Sequence, residues 1–342
     1  MNKKIYLDNG YLNFDFILNI NVPFIFIVGG RGIGKTYGIL KKALEDGIFF
    51  LLMRRTQAQV DLINKPEFNP YKTIAQDLHK QITTRSISKY NAVFVELCGE
   101  DAEKVIGYTA ALSTLSNLRG FDSSDIDMII YDEFIPEKHE KQMKNEAAAL
   151  LNAYETINRN RELTNKPAVK MVCLANSNDL SNPIFTELNF LKIVEKMRKK
   201  HNDVYIDEKR GFTIIMPDNS KISEQKKNTA LYRLVTDDSD FSKMSINNDF
   251  SYNDLSSIRP VNIQEYKPLA QYDKMVVYKH KSARKYYISE HVSGSPEIFT
   301  TSDIDKQRFR KRYGRILYSA YINNAVNFEN ILTKTIFEDI LI

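Results

Sequence analysis

Between Phe24 and Thr36 the chain reads Phe-Ile-Phe-Ile-Val-Gly-Gly-Arg-Gly-Ile-Gly-Lys-Thr. Five apolar residues predict a short buried strand. Gly29 to Thr36 then fit Gly-x-x-x-x-Gly-Lys-Thr, the phosphate-binding loop pattern. Four of the chain's 13 glycines fall in this stretch, which concentrates backbone freedom where a loop must wrap an anion. Tyr37–Leu44 reads as the following helix, whose N-terminal dipole would face that anion. Gly29, Gly30, Arg31, Gly32, Ile33, Gly34, Lys35 and Thr36 are therefore expected nucleotide contacts, with Lys35 on the β- and γ-phosphates and Thr36 on Mg²⁺. A glycine turn without nucleotide is the alternative, and the flanking strand and helix argue against it.

A second acidic motif lies downstream. Ile126–Tyr131 predicts a strand ending in Asp132-Glu133. After a phosphate loop this is the Walker B pattern: Asp132 holds the Mg²⁺ shell and Glu133 polarises the attacking water. Val169–Ala175 predicts another buried strand, ending in Asn176. Asn176 is either a sensor of the γ-phosphate or the Asn of an ordinary Asx-turn. Ile48–Met53 predicts a strand ending in Arg54-Arg55. In an open parallel sheet these arginines emerge on the ligand side, toward phosphate, nucleic acid or surface acids.

The rest of the chain is read more coarsely. Its 342 residues, 43% hydrophobic and 27% charged, fit a globular protein of two domains. The net charge of +5 permits a polyanionic partner. Cys98 and Cys173 are expected as buried free thiols, without metal spacing or a disulfide framework. No signal peptide, membrane span or internal repeat is expected. Tyr6, Tyr11, Phe14 and Phe16 offer an aromatic for a nucleotide base or, more blandly, edge packing. Residues 56–85 read as helix-prone, 92–97 with 105–110 as a hairpin, and 138–162 as helix. Lys192 to His201 is a basic helix-like run, and 204–206 with 212–216 a second hairpin. Further strands are expected at 275–278, 285–289 and 298–300, before a basic run from Arg308 to Arg315.

A guanine-specific Asn-Lys-x-Asp is missing: the Asn-Lys pairs at 2–3, 64–65 and 165–166 continue Lys-Ile, Pro-Glu and Pro-Ala. The strands fit an α/β P-loop NTPase of the additional-strand type with a mostly parallel sheet. The residues also resemble viral DNA-packaging motor ATPases. Arg31 inside the phosphate loop and the Arg119-Gly120 turn before Walker B are similar to terminase large subunits. Other stretches are similar to the phi29-type packaging ATPases: Met53-Arg54-Arg55, Asp132-Glu133-Phe134-Ile135, Asn145-Glu146, Arg159-Asn160-Arg161-Glu162 and Cys173-Leu174-Ala175-Asn176. The match spans about residues 20–190 and thins through 244–250 to the last ninety residues.

The resemblance implies an ATP- and Mg²⁺-dependent homo-oligomeric ring, a pentamer, that translocates double-stranded DNA into a procapsid in the host cytoplasm. It would dock on the portal directly or through a structural RNA. Arg159 would act as a trans finger, with Arg161 as second candidate. The chain divides into 1–222 (ATPase), 223–255 (linker or lid) and 256–342. The last part is a smaller α+β domain resembling a degenerate RNase H-like nuclease. It is expected not to cut DNA, because Lys279 and His280 stand where a strand-borne carboxylate would be needed. Nucleic-acid contacts are expected at Arg54, Arg55, Lys104, Lys138, Lys279, Lys281, Arg308, Arg310 and Arg312. The other classes are a P-loop nucleotide switch or assembly factor, for which Glu133 would be superfluous, and a helicase-like ATPase on single strands.

Overall fold

A computed structural model describes residues 5–88, 90–99, 102–118, 123–137, 140, 143–177, 179–217, 220–235 and 255–341. The turn at 119–122, Lys138 and residues 236–254 of the expected linker lie outside them. The chain forms two compact units, Met1–Asp179 with His201–Tyr252, and Leu180–Lys200 with Asn253–Ile342.

The first unit is built on a nine-stranded sheet. Its strands are β1 Phe24–Val28, β2 Phe50–Arg54, β3 Gln81–Ser86, β4 Ala92–Leu97, β5 Glu103–Ala111, β6 Met128–Asp132, β7 Lys170–Ala175, β8 Val204–Asp207 and β9 Phe212–Ile215. Their spatial order is β3-β4-β5-β2-β6-β7-β1-β9-β8. The run from β5 to β9 is parallel, while β3, β4 and β8 are antiparallel additions. Central strands buried on both faces require continuous apolar runs, and β1, β2, β6 and β7 supply them. The strand β7 lies between β1 and β6 and pairs with both, as the additional-strand type requires.

Both expected hairpins form, at β4–β5 and β8–β9. Some local readings need correction. The edge strand β3 falls at the end of the stretch read as helix-prone; its residues, polar but for Ile82 and none of them buried, carry no apolar pattern. The helix expected over 138–162 is Glu146–Asn158. Cys98 is exposed at the end of β4, while Cys173 is buried in β7. The helix Lys35–Glu45 buries Ile39, Leu40 and Ala43. Its Gly38 is needed because a Cβ there would stand 2.6 Å from the Phe14 ring.

The second unit has a five-stranded sheet of β10 Tyr266–Tyr272, β11 Met275–His280, β12 Tyr286–Ser289, β13 Glu297–Phe299 and β14 Val326–Phe328. The order is β13-β10-β11-β12-β14, an antiparallel meander flanked by parallel strands. Strand β10 precedes the strand at 275, which sequence alone took as the first. Phe309, Phe328 and Phe337 lie in its core. Residues 180–200 pack here and not with the ATPase part to which the division at 222 assigned them. Glu195 Oε2 accepts from Ile331 N at 3.2 Å, and Thr335 Oγ1 bonds Ser181 Oγ at 2.8 Å.

Candidate nucleotide site

The parallel strands β1, β2, β6 and β7 end at one edge of the sheet, where an open α/β sheet binds ligand. Register decides which residues meet there. Val28 pairs with Ala175, so Asn176 follows beside Gly29, whose N–H donates to the Ala175 carbonyl at 3.1 Å. Met53 pairs with Tyr131, which sets Arg54 beside Asp132.

Lys35 is 8% exposed, and its Nζ donates to Gly29 O at 2.9 Å, Gly30 O at 2.7 Å and Asn176 Oδ1 at 2.9 Å. The site thus brings Asn176 onto the loop lysine. Burial lowers the Lys35 pKa to about 7, although Asp132 pulls the other way. Thr36 Oγ1 donates to Asp132 Oδ2 at 2.8 Å. Asp132 is 2% exposed; burial raises its pKa, opposed by Arg54 and the Thr36 hydrogen bond. Glu133 has φ 58°, an uncommon backbone state for glutamate, and its N–H is capped by Asp132 Oδ1 at 3.0 Å. Its side chain remains about half exposed.

Arg54 spans the acidic pair, with Nη2 2.9 Å from Asp132 Oδ2 and Nη1 2.5 Å from Glu133 Oε2. It therefore belongs to the candidate site. Arg55 points the other way, 1% exposed, in a bidentate pair with Glu146 at 2.8 and 3.1 Å. Tyr131 OH donates to the same carboxylate at 2.8 Å. Arg55 is thus a buried structural residue in this fold, unavailable to nucleic acid.

The loop is framed from outside as well. Arg31 pairs with Glu137. Ile33 is buried and its carbonyl accepts from Leu12 N at 3.1 Å. Gly34 has φ 81°, and a Cβ on it would stand 2.9 Å from the Tyr11 ring. Gly34, Tyr11 and Tyr37 line a groove of about 620 Å³ along the loop helix. Tyr37 OH donates to Asp77 Oδ2 at 2.5 Å, which raises its pKa to about 12. Tyr6 instead bridges Leu12.

Sequence reasoning missed Glu137 and Tyr37; it quoted Glu146 only within a resemblance, without its partner Arg55, and Tyr11 only as one of four aromatics. Only the register of β2 against β6 shows that Arg54 joins the site. No local signal marks Glu137 or Glu146, whose partners lie far away in the chain.

The other candidates are dispersed. Arg159 is exposed just after helix Glu146–Asn158, with φ 49°. Thirteen residues of helix, about 20 Å, separate it from the Arg55–Glu146 pair. Arg161 bonds Ser124 O at 2.6 Å and Asp127 at 3.4 Å. Lys104 and Lys279 are exposed, and Lys281 donates to Gln264 O at 2.6 Å. The run from 308 is partly consumed internally. Arg308 pairs with Asp305 at 2.7 Å and Arg312 with Glu297 at 2.6 Å, while Arg310 bonds the Ile340 carbonyl.

Residues 1–340 match the family model of the podovirus DNA encapsidation protein, Gp16. The chain belongs to this family. It is 25% identical to the DNA packaging protein of Bacillus phage B103, over 95% of this chain and 96% of that one. It is 24% identical to the DNA packaging protein of Bacillus phage phi29, over 95% and 93%. Its fold is that of a chain in the bacteriophage phi29 viral genome packaging motor assembly, with TM-score 0.69, 22% identity and coverage of 96% and 98%. The phi28 gp11 DNA packaging motor is also similar, with TM-score 0.62, 20% identity and 98% coverage of both chains. Among the described residues, no helix is long and apolar enough to cross a membrane.

Proposed function

We propose that this member of the encapsidation family hydrolyses ATP to drive double-stranded DNA into a procapsid. The observation that carries the reading is the convergence of Lys35, Thr36, Asp132, Glu133 and Asn176 at one sheet edge. Arg31 Nε and Arg54 Nε are buried without an acceptor there, a donor surplus that suits a polyphosphate. The hard oxygens of Thr36 and Asp132 suit Mg²⁺, which would neutralise charge on the phosphates when bound.

The roles follow from position. The loop backbone and Lys35 hold the phosphates, and Asn176 orients the Lys35 ammonium. The Tyr11–Tyr37 groove takes the nucleoside. Glu133 accepts the proton of the attacking water. Arg159, exposed at the end of helix Glu146–Asn158, serves a neighbouring subunit's site in a homo-oligomeric ring, a pentamer. Family membership supports the DNA and procapsid partners, reached directly or through a structural RNA.

The second unit is read as a non-cutting, nuclease-like domain that contacts phosphate backbone without regard to sequence. Lys279 and Lys281 on the surface support this, as do the exposed Lys311 and Arg315. The decisive experiment is Glu133→Gln. It should bind ATP with unchanged affinity and lose about 10²-fold or more of duplex-stimulated hydrolysis. Unchanged turnover would sink the mechanism.

A further inference from the structure

We propose that Lys226 is an additional phosphate-binding cation of the nucleotide site, which reads the terminal phosphate from outside the glycine loop. The assignment rests on reading that loop as a nucleoside triphosphate site.

Lys226 ends the short helix Lys221–Lys226, about 190 residues after the loop. Its Nζ donates to the Arg31 carbonyl. It also stands 2.6 Å from where a Cβ on Gly32 would be, so the ammonium lies against the loop backbone. The helix is held in place independently of this contact. Ser220 caps it by accepting from Ser223 N at 3.1 Å. Lys221 Nζ donates to Asp8 O at 3.1 Å. Gly10 packs directly on it, and a Cβ there would be 3.0 Å from Lys221 Cβ and 3.1 Å from Ile222 N.

The charges around Lys226 are the reason to assign it a ligand. Arg31 spends its charge on Glu137, and Lys35 has Asp132 nearby. Lys226 pairs with no carboxylate among the described residues. Burial and the adjacent Arg31 both disfavour its ammonium, and Lys226 and Arg31 in turn disfavour that of Lys35. Like charges gathered on a glycine loop cost stability until a polyanion binds, and then each becomes a charge-assisted donor.

Position selects the terminal phosphate. Arg31 is tied to Glu137, four residues beyond Glu133, which joins this part of the loop to the segment that follows the acidic pair. Glu133 marks the hydrolysed end of the nucleotide, whereas the Tyr11–Tyr37 groove marks the nucleoside end.

The test compares Lys226→Met and Lys226→Arg with the unaltered chain. The readouts are affinity for a non-hydrolysable ATP analogue with Mg²⁺, affinity for ADP, and melting temperature without nucleotide. Lys226→Met should lose about tenfold in affinity for the analogue and about twofold at most for ADP. Its nucleotide-free melting temperature should hold or rise, and Lys226→Arg should keep most of the analogue affinity. Equal losses for both nucleotides with a lowered melting temperature would make Lys226 a structural peg and overturn the proposal. Unchanged analogue affinity would also overturn it. If the unaltered chain binds neither nucleotide, the triphosphate reading itself fails, and Lys226 with it.

Discussion

Arg54 holds Glu133 by an ion pair in which Nη1 stands 2.5 Å from Oε2, while the same guanidinium contacts Asp132 at 2.9 Å. A carboxylate oxygen engaged by a guanidinium is not available to take a proton from water. On the proposed mechanism Glu133 would have to release Arg54 before that oxygen could act, and Mg²⁺ would compete with Arg54 for Asp132. Arg54→Ala should raise hydrolysis in the absence of DNA several-fold and shrink the stimulation by DNA. It also strips a partner from buried Asp132, at a cost of about 3 kcal/mol that bound Mg²⁺ and nucleotide recover. Steady-state ATPase assays with and without duplex DNA check the first effect, and melting with and without Mg·ATP checks the second. A fall in DNA-free hydrolysis would mean that Arg54 positions Glu133 for attack.

The buried Arg55–Glu146 pair is a different object, although its arginine adjoins the first. Both side chains are 1% exposed, and Tyr131 OH completes the set. Removing one partner strands a charge in the core. Arg55→Ala or Glu146→Ala should each cost about 3–5 kcal/mol in chemical denaturation. Replacing both by apolar residues should cost less than the sum of the single changes. Additive losses would show that the two residues do not act as a pair.

Lys35 gives the site a pH signature. Its folded pKa of about 7 lies below the usual lysine value of 10.5. Between those values the unfolded chain binds the extra proton, so stability without nucleotide rises as pH climbs from about 7 to about 10. A bound polyphosphate favours the charged ammonium, so ATP binding near pH 8 should take up a proton. Calorimetry of ATP binding in buffers of different ionisation enthalpy measures that uptake, and Lys35→Met should abolish it. Proton release on binding would contradict this reading of Lys35.

Arg159 and Arg161 are two residues apart but differ in setting. Arg161 is engaged by Ser124 and Asp127 within its own unit, whereas Arg159 is exposed at the end of its helix. Arg159→Ala should leave ATP affinity unchanged and cut turnover by about 10³-fold or more. Mixed with unaltered subunits, it should depress activity more than in proportion. Arg161→Ala should instead cost about 1 kcal/mol of stability with modest effect on turnover. The opposite pattern would assign the trans role to Arg161.

Much of this molecule was legible in local sequence. The glycine spacing before Lys35 reads as an anion-binding loop because few backbones can wrap a phosphate. Continuous apolar runs at β1, β2, β6 and β7 mark strands buried on both faces, and the polar residues closing three of them mark the site edge. Polar edge strand β3 and three-residue β14 carried too little pattern to be seen.

The motifs by themselves determined a glycine loop ending in Lys-Thr, an acidic pair and a trailing Asn, because each depends on a few consecutive residues. Only the tertiary structure decided that Arg54 clamps the acidic pair while Arg55 is buried, since strand register sets which neighbour faces the site. It also decided that residues 180–200 join the C-terminal unit and that Lys226 returns to the loop. Those pairings close chain loops of 136 and 195 residues, and their partners are chosen by packing. No stretch of neighbouring residues encodes such a choice.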